Sequence, residues 1–233
     1  MTDTRGMCLA ELAIGMAIAI LVLAGLFEVL NLGQSAIGEK QRIMAQQQDV
    51  RVGLEVFEQE ARLATAESFI SANHDTVEFL ANVHALHTNT TSSIIPGQSA
   101  IPVVDGSGWG KGKTVVICKP LRCETHRLSR TGQRSQLMLE DEIREVFPTG
   151  ASVEISNRVA YYTKPNEQGH MNLMRMVDGG ANVLIAELET VRFSYRDEKG
   201  RLTSVPSKVA CIIVDIEPRY TRKREAHSVA LRS

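Results

Sequence analysis

The sequence predicts an α+β fold: a long N-terminal helix, membrane-spanning in its first half, packed through its second half on an antiparallel β-sheet. Three observations predict it. An apolar run opens the chain, an amphipathic helical stripe continues it without a proline, and short alternating strands separated by turn residues fill the rest.

The run from Met7 to Leu32 has about the ~20 residues that one membrane-spanning helix needs. Glu11 is the one acidic or basic side chain between Met7 and Phe27. Residues 7–32 are therefore read as the membrane segment. From Ile43 a seam follows through Gln47, Val50, Leu54, Phe57, Ala61 and Ala64, at alternating spacings of four and three. That is the stripe of a helix lying on another surface. Asp49, Arg51, Glu55, Glu58 and Arg62 occupy the other face and are read as solvated. Gly33 and Gly38 each cost about 1 kcal/mol against alanine, so a bend or local melting is expected there. Residues 33–67 are read as the amphipathic continuation, which gives ~90 Å of helix at 1.5 Å per residue.

Residues 68–233 are read as the β-rich globular domain. "SFISA" and "TVEFLANV" flank "NHD" as a hairpin. Residues 84–113, rich in Gly, Ser, Thr and Pro, are expected to form a long loop. "TVVIC" reads as a strand, with "CETHRLSR" and "SQLMLE" after it. "SVEISNRVAYYT" and "MNLMRMV" form a second hairpin around "KPNEQGH". "VRFSYRD" and "KVACIIVDIEP" are joined by "EKGRLTSVPS". Together these predict a sheet of roughly four to seven strands.

With 26 basic and 27 acidic residues the chain lacks the basic excess of a nucleic-acid binder, and no nucleic-acid partner is expected. "GSGWGKGKT" has the look of a phosphate loop, but Ser107 stands where the first glycine is required. A strand follows it in place of a helix, so nucleotide binding is rejected. Cys118 and Cys123 enclose "KPLR" and can meet across a hairpin; an oxidising compartment would bond them and a reducing one would leave two thiols. Adding His126 makes three metal ligands with no fourth, so no metal is expected. The chain has no G-x-S-x-G nucleophile motif, and neither an enzymatic activity nor a cofactor is expected. The basic run "RYTRKREAH" is read as a solvated tail.

The first eleven residues carry a more specific pattern. "MTDTRG" is short and charged, Gly6 directly precedes the apolar run, and Glu11 is the fifth residue after that glycine. This resembles the type IV prepilin signature. The resemblance implies that residues 1–6 are a leader cleaved between Gly6 and Met7 by a prepilin peptidase, with N-methylation of Met7. It also implies that Glu11 meets the new amine of a neighbouring subunit during assembly. A carboxylate in lipid costs on the order of 2.5–3.5 kcal/mol, and such a partner offsets that cost. "LIAELETVRFSYRDEKGRL", the apolar strand after it and the ending "HSVALRS" are similar to the C-terminal parts of PilW-type minor pilins and J-type minor pseudopilins of type II secretion. The partners then implied are other minor and major pilins or pseudopilins, the prepilin peptidase, an assembly platform protein with its ATPase, and membrane lipid. The implied location is the bacterial inner membrane, with one pass and a periplasmic globular domain. The rival expectation is a single-pass anchored binding or interaction protein that keeps its leader.

Overall fold

In the computed structural model, residues 4–120, 122–221 and 223–231 are described, without the side chains of residues 4–10, 35, 36 and 66. Residues 1–3 of the expected leader lie outside the described residues. One helix, α1 (Thr4–Ala61), runs through Gly33 and Gly38 without interruption. It is long and apolar enough to cross a membrane, and none of its most apolar window is buried. Up to Gln48 the helix is a unit by itself; from Asp49 it belongs to the globular unit.

Within the globular unit, Val50, Leu54, Phe57 and Ala61 bury one stripe of α1. Each fully buried Val, Leu or Phe contributes roughly 1.5–3 kcal/mol. Phe57 meets the Tyr161 ring edge-on at 4.8 Å between centroids and lies 6.1 Å from Phe193. Gly53 lets the helix approach closely, since a Cβ there would stand 2.3 Å from Cγ1 of Ile185. Of the predicted seam, Gln47 is exposed. Ala64 is buried, but it follows the helix on a turn. A 3-10 turn over Ala66–Ser68 comes next, with Thr65 N–H donating to Ser68 Oγ at 2.9 Å.

The main sheet has seven strands, all paired antiparallel, in the order β1 (Phe69–Ala72), β2 (Thr76–Ala81), β9 (Asn157–Pro165), β10 (Met171–Val177), β11 (Gly180–Arg196), β12 (Cys211–Pro218) and β13 (Glu225–Ala230). Alternation along β12 puts Ile212, Val214 and Ile216 in the core. β11 is long enough to serve two partners. Its first half pairs with β10, its second with β12, and Glu187 takes a left-handed φ of 55° where the register shifts. Tyr195 reaches back to donate to the carbonyls of Asn73 (2.7 Å) and Thr76 (3.1 Å), which pins the β1–β2 hairpin against β11.

Between the paired residues Ala81 and Asn157, the chain leaves the sheet to build a lobe over residues 82–156. The lobe contains a four-stranded sheet in the order β3 (His87–Asn89), β8 (Ser152–Ile155), β5 (Thr114–Lys119) and β6 (Arg122–Arg127). A two-stranded sheet of β4 (Ala100–Pro102) and β7 (Gln136–Met138) completes it. Ile94, Ile101, Trp109, Leu137 and Phe147 belong to its own core, separate from that beneath α1. The expected loop over 84–113 is thus folded: Gly132 N–H donates to the Trp109 carbonyl at 2.7 Å, and Trp109 is buried. Strands three residues long are too short to register as a period, which hid them in the sequence. The "SVEISNRVAYYT" segment is likewise two strands in two sheets, parted at Ser156.

Candidate functional site

Glu11 lies on α1 and is exposed, in a stretch where Leu12, Ile14, Met16 and Ile18 are exposed too. The backbone at Gly6 and Met7 is helical, and the side chain of Met7 is not among those described. From Glu11 to Phe27, α1 therefore presents apolar surface on every side, with one carboxylate at the start of that stretch. Water disfavours such a surface; lipid or neighbouring helices accept it.

The end of α1 is locked to the sheet by polar contacts. Glu60 is buried, and Arg175 of β10 donates to it through Nε, at 2.9 Å to Oε2 and 3.1 Å to Oε1, and through Nη2. Tyr161 of β9 donates its hydroxyl to the same carboxylate. Burial, followed by the negative charge of Glu60 and this hydrogen bond, pushes the Tyr161 hydroxyl well above its ordinary range. Two residues earlier, about half a turn round the helix, Glu58 pairs with His227 of β13 at 2.9 Å and with Arg62. Glu58 is therefore engaged in a cross-fold contact rather than simply solvated, and part of the expected tail is the edge strand β13.

In the lobe, Cys118 and Cys123 face each other across β5 and β6 and are bonded, with an S–S distance of 2.08 Å. Lys119 and Arg122, which follow and precede them, both pair with Glu145 at 2.8 Å. His126, the third residue weighed for a metal, meets Glu124 at 3.0 Å. Cys211 is a half-buried free thiol at the start of β12.

The lobe and the main sheet meet at Asp178. With Gly179 it forms the two-residue turn between β10 and β11, at φ values of 50° and 93°. An Asp-Gly pair suits such a turn, because both central residues need positive φ. Oδ2 of Asp178 accepts from Lys113 of the lobe (2.6 Å) and Asn157 (2.8 Å), and Oδ1 accepts from the Arg158 backbone N–H (2.9 Å). Burial works to raise its pKa, but the bonds from Lys113, Asn157 and Arg158 outweigh that and hold it below its ordinary value. A cleft of about 770 Å³ opens beside this junction.

The chain thus joins a long apolar N-terminal helix to an antiparallel sheet on which the later part of that helix packs. The architecture is pilin-like. No protein-family model, curated protein or solved structure matches the chain. The pilin-like layout thus rests on the helix and sheet themselves. Sequence reading missed Glu60 and Asp178. The Asp-Gly pair between two apolar runs was a usable signal for the turn at Asp178. Glu60 had none, since its partners are more than a hundred residues away.

Proposed function

We propose that the chain is a minor pilin or pseudopilin. A prepilin peptidase processes it after Gly6, and it joins other minor subunits to initiate or tip a type IV pilus or a type II secretion pseudopilus. The observation that carries this reading is the continuity of α1. A helix that is apolar and exposed from Leu12 to Phe27, with Glu11 just before that stretch, continues without interruption to Ala61, where its last turns are packed. A membrane anchor alone needs the apolar part and not the spine. In this reading Glu11 is half of an intersubunit charge pair, strong because the surrounding dielectric is low. Its other half is the Met7 amine that cleavage creates. The protein performs no catalysis; the platform protein and its ATPase act on the helix.

Mass spectrometry of the mature chain tests the reading. A chain beginning at N-methylated Met7 is expected. An intact leader at Met1 would instead support an anchored periplasmic interaction protein. Glu11→Ala separates the assembly role from anchoring: membrane insertion should persist while co-purification with the other minor subunits is lost. Unchanged co-purification would defeat the charge-pair mechanism.

A further inference from the structure

We propose that the cleft beside the β10–β11 turn binds a small soluble oxyanion, such as a di- or tricarboxylate or a phosphate ester. Its volume of about 770 Å³ falls within the ~300–1,000 Å³ of small-molecule sites. Cations line it from both sides: Lys111, Lys113 and Arg127 come from the lobe, and Arg158 from β9. The one acid among the described residues of its lining, Asp178, is already occupied by Lys113, Asn157 and a backbone N–H. It therefore neutralises Lys113 and none of the other three cations. Arg158 is paired with Glu78 through Nε only, and its side chain is 61% exposed, so its terminal nitrogens remain available.

Lys111 and Arg127 meet no carboxylate among the described residues. Arg127 is nevertheless positioned: Nε and Nη2 donate to the Gly112 carbonyl at 3.3 and 3.2 Å, fixing the guanidinium on the loop. Gly112 holds a φ of 77°, a conformation that side chains rarely adopt. Holding the lobe to the sheet accounts for Lys113 and Asp178. It leaves Lys111 and Arg127 without a counter-charge among the described residues, beside the terminal nitrogens of Arg158, whose charge is shared with Glu78. Cations gathered in one cleft repel, and an oxyanion with two or more negative charges relieves that while matching guanidinium geometry. "GSGWGKGKT" thus places Lys111 and Lys113 at an anion site without the strand-loop-helix of a nucleotide fold. The inference is independent of the assembly role above.

Calorimetric titration of the full-length protein in detergent micelles with citrate, and separately with pyrophosphate, tests this. Saturable binding of at least one probe is expected at low salt, weakening as chloride is raised. Arg127→Gln should weaken it about tenfold, the loss of one charge-assisted hydrogen-bond group. Lys111→Ala should weaken it as well, and it guards against loop damage in the first variant, because no side-chain bond of Lys111 holds the lobe together among the described residues. Binding of citrate alone identifies a carboxylate ligand and binding of pyrophosphate alone a phosphate; either result supports the site. No saturable binding of either probe at millimolar concentration, or wild-type affinity in both variants, overturns it.

Discussion

Arg175→Met should destabilise the globular unit out of proportion to its position on a strand. Arg175 supplies the countercharge of Glu60, and the two side chains are 23% and 11% exposed. Breaking one side of a fully buried pair costs about 3–5 kcal/mol; the residual exposure here lowers the expectation to about 2–3 kcal/mol. Tyr161 would still donate to Glu60, but a neutral hydroxyl does not replace a guanidinium. Replacing all three, Glu60→Leu with Arg175→Leu and Tyr161→Phe, removes the stranded charge together with the buried hydroxyl that would lose its acceptor, and should return stability to within about 1 kcal/mol of wild type. Urea titration at pH 7, followed by far-ultraviolet circular dichroism, measures both variants. A loss below about 1 kcal/mol in Arg175→Met, or a triple variant as weak as the single, would refute the reasoning, because Glu60 would then be reaching water. The same site sets an alkaline limit. The Tyr161 hydroxyl titrates above its unfolded value of ~10, so its stabilisation is complete below that pH and is lost as pH rises through the folded value. Tyr161→Phe should flatten that alkaline fall.

Gly53→Ala gains about 1 kcal/mol of helix propensity but overpacks against Ile185 at a cost of about 1–3 kcal/mol, so a net loss is expected. A double-mutant cycle with Ile185→Ala should show the clash as coupling, and additive losses would exclude it. Asp178→Asn keeps the left-handed turn but weakens the acceptor for Lys113, for an expected loss of about 1–2 kcal/mol at pH 7. Because the folded pKa of Asp178 is depressed, its stabilisation is present above ~3.9 and disappears as pH falls through the lower folded value. Wild-type and variant denaturation curves should therefore converge at acid pH. Removing the disulfide, which closes a loop of sequence separation 5, should cost about 2 kcal/mol and act on the lobe. The lone Trp109 is buried in that lobe, so its fluorescence is the appropriate probe.

What could be read from the sequence follows from how far each signal reaches along the chain. The helix, the β1–β2 hairpin around "NHD" and the β9–β10 hairpin around "KPNEQGH" are local patterns, and the structure has all three. The lobe was invisible as a folded unit because its strands are short and its core joins Ile94 to Phe147 and Ile155. The edge strand β13 was masked by the charges before it, while Val229 alone in that strand is buried. Glu58 was placed on the solvated face because its helical position is all the sequence shows. The contact with His227, 169 residues on, is a property of the closed fold. The cleft cations divide in the same way: the basic glycine-rich loop is conspicuous, but its approach to Arg158 depends on a turn far along the chain.

The helix–sheet attachment combines two kinds of contact with different consequences. Val50, Leu54, Phe57 and Ala61 resist separation, but apolar packing is non-directional and tolerates related registers. Hydrogen bonds do not. A slip of α1 by one turn, 5.4 Å, would carry Glu60 away from Arg175 and Tyr161, and Glu58 away from His227. The polar contacts therefore fix the axial position of the helix on the sheet, and the apolar stripe supplies the adhesion. In the proposed role that distinction matters, because subunits stacked through their helices transmit any axial error to the next subunit. The triple variant at Glu60, Arg175 and Tyr161 separates the two functions: it should keep its stability while losing the directional contacts that set register. Its urea midpoint should stay near wild type while its co-purification with partner subunits falls. Full co-purification would show that packing alone, through Gly53 and Phe57, is enough to set the register.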